Sequence, residues 1–202
     1  MELFYSPNSP YARKARIIIQ ELDLEPRVKQ TAVALPADAK LRAINPLGKI
    51  PALLLDDGSV IYDSPVICEY FDTLHGGEKL FPEKFPERLV ALRRQSLGDG
   101  MLDTMLMWRG EVLRPAANQS IKHMQAWRLK TNVSVDKLEE EAEALGSSRF
   151  SIGHIGIGVA LGYIDFRFPE LAWRDGHPRL TAWHETFAAR PSVKATEPLD
   201  EP

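Results

Sequence analysis

Apolar residues recur at helical spacing at Tyr11, Ala15, Ile18, Ile19 and Leu22, with Arg13, Lys14, Arg16, Gln20 and Glu21 on the other faces. Ahead of this pattern, Leu3 to Ser6 is a short strand that stops at Pro7, and Asn8-Ser9-Pro10 is a turn that opens the helix. Arg27 to Val33 reads as a second strand and Ala37 to Ile44 as a short helix. Pro51 cannot donate to a sheet ladder, so it stands at the head of a third strand, where Leu53, Leu54 and Leu55 form a buried run. Asp57-Gly58 then turns the chain into a hairpin whose return strand is Val60, Ile61 and Tyr62. Asp63-Ser64-Pro65 combines two N-cap residue types with a proline suited to a first helical turn, which starts a third helix running to about Leu74. This order predicts a parallel strand pair extended by an antiparallel hairpin, with helices packed on the sheet.

Beyond Leu74 the pattern changes. His75 to Pro86 carries Gly76, Gly77, Pro82 and Pro86, which predicts a linker running over the surface. After it, helical periodicity takes over. One long helix is expected from Glu87 to about Leu113, and a second from about Gln119 to Leu145 whose charged tail, Lys137 to Glu143, reads as a solvated face. Ser151 caps an apolar helix from Ile152 to Phe166, and Asp175-Gly176-His177-Pro178 turns the chain into a last amphipathic helix ending near Arg190. The expected architecture is therefore a small α/β domain over residues 1–76, a linker over 77–86, and an all-helical domain over 87–202.

Composition narrows the function. A formal net charge of −3 and a pI near 6.0 argue against a broad nucleic-acid-binding face. The single cysteine, Cys68, excludes internal disulfides and suits a reducing compartment, so the cytoplasm is the expected location. The start of the chain lacks a basic region followed by a long apolar run, and the most apolar stretch, Ile152 to Ile164, is too short to span a bilayer. No metal-ligand spacing stands out.

Two helix mouths carry candidate chemistry. At the first, Ser9 has a structural reading as an N-cap, and a functional one as a hydroxyl that donates to a bound anion with the helix N-terminus behind it. If that anion is a thiolate, donor and dipole both lower the thiol pKa, and the protein activates a thiol without a reactive cysteine of its own. At the second, Asp63 and Ser64 read either as caps or as the two halves of an amino-acid receptor. The hydroxyl and free N–H groups would take a carboxylate, and the Asp63 carboxylate an ammonium. Ile50-Pro51 adds either a rigid turn or, if the bond is cis, backbone groups able to pair with a peptide.

The stretches Tyr5-Ser6-Pro7-Asn8-Ser9-Pro10-Tyr11-Ala12-Arg13-Lys14, Asn45-Pro46-Leu47-Gly48-Lys49-Ile50-Pro51 and Tyr62-Asp63-Ser64-Pro65-Val66-Ile67 resemble the glutathione S-transferase superfamily, and the resemblance extends over nearly the whole chain. It implies a thioredoxin-like N-terminal domain (βαβαββα), an all-helical C-terminal domain and a homodimer. It selects Ser9, four residues before Arg13, as the hydroxyl that stabilises the glutathione thiolate. It assigns Ile50, before the cis-proline Pro51, to backbone pairing with the cysteinyl part of glutathione. Asp63 and Ser64 fall on the γ-glutamyl end, and Lys49 lies near the tripeptide.

Alternatives stand beside this reading. Ser6 and Tyr5 are other candidates for the thiol-activating hydroxyl, ranked below Ser9 because Tyr5 belongs to the first strand. The cysteine of related thiol-disulfide enzymes is replaced by Ser9, which argues against redox exchange, and Cys68 reads as a small buried side chain. Tyr11, Met101, Met105 and Trp108, with Met107, line an apolar pocket for an electrophile or simply pack the helices. His154 replaces the aspartate with which the family closes a capping box to Ser151, which leaves that local motif open. Three function classes follow. They are a transferase conjugating glutathione to a hydrophobic electrophile, a glutathione-dependent isomerase, lyase or peroxidase, and a non-catalytic glutathione-binding stress or interaction protein.

Overall fold

The computed structural model describes residues 1–33 and 39–199, which fall into two compact units, Met1–Glu83 with Arg190–Pro202, and Lys84–Ala189. The first unit runs β1 (Glu2–Tyr5), α1 (Pro10–Glu21), β2 (Lys29–Ala32), α2 (Ala39–Ile44), β3 (Ala52–Leu54), β4 (Val60–Ile61) and α3 (Ser64–Thr73). This is the expected βαβαββα order. Residues 37 and 38, expected to open α2, lie outside the described residues.

The four strands lie in the order β2-β1-β3-β4, with β1 parallel to β2 and antiparallel to β3, and β3 antiparallel to β4. Leu3, Phe4, Ala52 and Leu53 are fully buried in the sheet, and α1, which also packs against α3, buries Ala12, Ala15, Ile17, Ile18 and Ile19. The Asp57-Gly58 hairpin closes with Gly58 at φ +85°, a conformation glycine adopts without cost, and with Asp57 Oδ1 accepting the Ser59 N–H at 2.8 Å. Leu55, expected in the buried run, lies just beyond β3 and is only half-buried.

Two expectations need refining. The expected surface linker is anchored. Both oxygens of the buried Asp72 carboxylate accept backbone N–H groups, from Leu80 at 2.8 Å and Phe81 at 3.0 Å, and both of those side chains are buried. The helix expected to end near Arg190 does so, at Ala188, but it is not the last, because a further turn, α9 (Pro191–Lys194), follows. That turn packs on α1. Arg190 makes two bonds to the Glu21 carboxylate, Ser192 Oγ donates to the same group, and the Arg13 guanidinium donates to the Val193 carbonyl at 3.2 Å. Burial alone would raise the Glu21 carboxyl, but the Arg190 and Ser192 bonds outweigh it and hold it below the usual range.

The second unit is helical, with α4 (Phe85–Val112), α5 (Ile121–Glu140), α6 (Ala142–Ser147), α7 (Ile152–Arg167) and α8 (Pro178–Ala188). The single helix expected from Gln119 to Leu145 is broken at Glu141, whose carboxylate is gripped by Arg93 of α4 at 2.6 and 3.1 Å. Nor is the charged tail only a solvated face. The Glu139 carboxylate accepts the Leu180 N–H at 2.7 Å and so caps α8, whose first N–H groups have no partner within the helix. At the mouth of α7, Ser151 and His154 do form a capping box, with the Ser151 N–H donating to His154 Nδ1 at 3.1 Å. Because a backbone N–H only donates and the Leu145 carbonyl, 3.1 Å from Nε2, only accepts, the ring carries its proton on Nε2. A neutral imidazole here takes the role of a carboxylate.

Candidate functional site

Strand register assembles the site. Phe4 faces Ala52 across β1 and β3, and Leu53 faces Ile61 across β3 and β4. The end of β1, the start of β3 and the end of β4 therefore meet at one end of the sheet. The α1 mouth follows the first, Ile50-Pro51 precedes the second, and Asp63-Ser64 follows the third. These are the three motifs that the sequence set 13 to 55 residues apart.

Ser9 is the N-cap of α1, and its Oγ accepts the Ala12 N–H at 3.2 Å. This use takes an oxygen lone pair and leaves the hydroxyl proton available for donation outward. Capping and donation are therefore compatible in one side chain. Of the competing hydroxyls, Tyr5 lies in β1 with its ring covered by the Arg16 guanidinium at 4.5 Å, and the Ser6 carbonyl accepts the Ser9 N–H at 3.1 Å. Arg13, one turn along α1, is buried and turned toward Val193. Burial lowers its pKa to about 10, against the raising effect of Glu197, and it stays a cation at neutral pH. Tyr11 is half-buried, with the Lys14 ammonium 5.6 Å from its ring.

The loop before β3 is held by Asn45, whose amide reaches both Leu47 and Lys49. The Ile50–Pro51 bond is cis, as is Tyr62–Asp63. The Lys49 side chain is exposed, whereas Ile50 packs with Phe4, Leu41 and Ala52. At the start of α3, the exposed Asp63 occupies the N-cap position yet its carboxylate makes no cap bond, so it is not spent on the helix. Ser64 beside it is buried. Cys68 is a buried thiol inside α3.

Met101, Met105 and Trp108 belong to the helical unit and are buried, with the Trp108 ring stacked on Phe168 at 4.6 Å between centroids, while Met107 is exposed. Met101 also borders an open, largely apolar groove of about 500 Å³ between α4 and α5, with Leu97, Leu129 and Val133. Two features escaped the sequence reading: the Asn45 amide, hinted at by an Asx residue opening a turn, and the α9 contacts to α1, for which no local signal exists. Among the described residues, no helix is long and apolar enough to cross a membrane, and no group of three His, Cys, Asp or Glu side chains is gathered as metal ligands are.

Comparison with known proteins gives the family. Residues 8–74 match the glutathione S-transferase N-terminal domain, and residues 125–186 the glutathione S-transferase C-terminal domain. The chain is 33% identical to the GST-like protein YibF of Escherichia coli (strain K12), over 98% of each chain. It is similar to a glutathione transferase family member from Pseudomonas fluorescens Pf-5, solved with bound glutathione, at 40% identity and a TM-score of 0.94 over 98% of both chains. A glutathione S-transferase from Methylobacillus flagellatus, also with glutathione bound, shares 32% identity at a TM-score of 0.92 over 98% of this chain and 99% of that one. The chain belongs to the glutathione S-transferase family.

Proposed function

We propose that this protein is a glutathione transferase that stabilises the glutathione thiolate with Ser9 and adds it to a small hydrophobic electrophile. One observation carries the reading: a hydroxyl that caps its helix through oxygen alone stands at the same sheet end as a carboxylate that makes no bond to the helix it opens. Glutathione would lie along that end. Its cysteinyl backbone would pair with Ile50 before Pro51, its γ-glutamyl ammonium would meet Asp63, and its carboxylate would meet Ser64 and the first N–H groups of α3. Lys49 would add a cation near the tripeptide. The glutathione-bound relatives at 40% and 32% identity support this ligand.

In the reaction the thiol proton leaves to solvent and the Ser9 O–H donates to the resulting thiolate, whose sulfur lone pair attacks the electrophilic carbon. An aryl halide then loses halide ion, and an unsaturated carbonyl passes its π electron pair to the oxygen and takes a proton from solvent. The gain comes from a larger thiolate population at neutral pH and from holding the two reactants together. Tyr11 in the first unit, and Met101, Met105 and Trp108 in the second, are our candidates for contacts to the electrophile. We place the activity in the cytoplasm and expect a homodimer, which sedimentation would report directly.

Calorimetric titration with glutathione, followed by turnover assays on a panel of aryl halides, unsaturated carbonyls and peroxides, tests the proposal. Glutathione binding with conjugation of at least one halide or carbonyl is the expected result. No binding removes the site assignment, and peroxide reduction without any conjugation moves the enzyme to another reaction class.

A further inference from the structure

Asn45 is buried to 1% exposure, yet its side chain is fully engaged inside the turn that leads to Ile50. Oδ1 accepts the Leu47 N–H at 3.0 Å, and Nδ2 donates to the Lys49 carbonyl at 2.7 Å. The backbone carbonyl of Asn45 accepts the Gly48 N–H at 2.8 Å, and Gly48 makes the tight path possible at φ +58°. One buried residue thus holds three successive corners of the loop, two through its side-chain amide and one through its backbone carbonyl.

The consequence appears at the next residue. The Lys49–Ile50 peptide is trans, and a planar trans peptide points its C=O and N–H in opposite directions. Pinning the Lys49 carbonyl onto Asn45 therefore turns the Ile50 N–H away from the loop interior. The Ile50 side chain is meanwhile fixed in the cluster with Phe4, Leu41 and Ala52, which removes the remaining freedom of the residue. Among the described residues, the Ile50 N–H makes no hydrogen bond. Buried backbone donors nearly always find a partner, so a donor held open on a rigid frame is an acceptor site in waiting.

We propose that Asn45 is a positioning residue. By fixing the Lys49 carbonyl, it aims the Ile50 N–H at a peptide carbonyl of bound glutathione, which rests on the function proposed above. The role is distinct from merely shaping the turn, because the Leu47 contact alone would do that. Asn45 acts on the binding donor through a single intervening peptide plane, so a change of one atom type at Nδ2 is felt at Ile50.

Asn45→Asp separates the two contacts. It keeps an oxygen for the Leu47 N–H but sets a carboxylate oxygen against the Lys49 carbonyl. Glutathione Kd measured by calorimetry is expected to rise tenfold or more. In 15N-labelled wild-type protein, saturating glutathione should shift the Ile50 amide resonance and slow its hydrogen exchange at least tenfold. In Asn45→Asp at saturation, the Ile50 response should be lost while the Ser64 amide still responds. A Kd within twofold of wild type, or Ile50 and Ser64 responses that decline in step, overturns the proposal. A further reading needs no variant and stands even if Asn45→Asp does not fold. An Ile50 amide that exchanges as slowly in the free wild-type protein as the β1–β3 ladder amides also overturns it. Wild-type protein that takes up no glutathione rejects the proposed function itself, and is told apart from the other outcomes by that first titration.

Discussion

Gly98 of α4 and Gly156 of α7 touch backbone to backbone: a Cβ on Gly98 would lie 2.5 Å from both the carbonyl carbon and the carbonyl oxygen of Gly156. Gly153 lies nearly as close to Ala91 and Arg94, where a Cβ would meet both at 2.8 Å. The central helix pair of the second unit is thus set by absent side chains, at a separation that no alanine allows. Gly98→Ala must push the helices apart, and overpacking of this kind costs about 1–3 kcal/mol. Gly110, on the same helix, has nothing within 4 Å of its Cβ position and provides the control. There alanine should stabilise by up to about 1 kcal/mol through helix propensity. Urea denaturation of both variants checks the pair, and a Gly98→Ala protein as stable as wild type would refute the close packing.

The imidazole that closes the α7 capping box gives a second prediction. His154→Ala removes the acceptor for the Ser151 N–H and leaves a buried donor unpaired, at an expected cost of about 1–3 kcal/mol. His154→Asp restores an acceptor at the same position and should recover a good part of the loss. Equal stability of the alanine and aspartate variants in urea would show that the box contributes nothing.

His177 brings pH dependence. Burial favours its neutral ring, but the Asp136 carboxylate, 2.9 Å from Nε2, and the Trp173 carbonyl, 2.7 Å from Nδ1, both accept from a protonated ring nitrogen, and together they raise its pKa above 6.5. A raised folded-state value means that the stabilisation is fully present below the unfolded pKa and fades as pH climbs through the folded one. The stability difference between wild type and His177→Ala should therefore be larger at pH 6 than at pH 9. A difference that grows with pH would invert the assignment.

Ser9 and Asp63 should fail in opposite ways. Ser9→Ala removes a donor that matters most to the thiolate, so turnover should fall by about 100-fold with glutathione affinity nearly kept. Loss of its cap should also cost about 1 kcal/mol of stability. Asp63→Asn loses a charge-assisted contact of about 1.5–3 kcal/mol, so glutathione Kd should rise roughly 10- to 100-fold, with little change in kcat at saturation. Thiolate absorbance against pH separates the cases. An unchanged titration in Ser9→Ala would hand the thiol to Ser6 or Tyr5, and an unchanged Kd in Asp63→Asn would refute the ammonium contact.

Most of the α/β unit was legible in the sequence because its signals are local. The 3.6-residue period of α1, the proline heading β3, the Asp57-Gly58 turn and the Asp63-Ser64-Pro65 helix start each act within a few residues, and each lies where it was expected. The strand order follows from those pieces, because a parallel pair plus a hairpin leaves few ways to cover both faces. Ser9 was legible as a cap for the same reason. That its hydroxyl can cap and donate at once depended on seeing which of its atoms Ala12 engages.

What the sequence by itself determined, then, is the set of elements, their order and the residue types at each helix mouth. Tertiary structure decided which ends meet and which polar groups are already committed. Glu21 finds Arg190 and Ser192 at separations of 169 and 171 residues, Asp72 pins Leu80 and Phe81, and Arg93 reaches 48 residues to Glu141, where a continuous helical pattern breaks. None of these pairings leaves a mark on the periodicity of either partner. A side chain's reach is a few ångströms in space, whereas propensity and patterning act along the chain, so partners far apart in sequence become knowable only once the chain has folded.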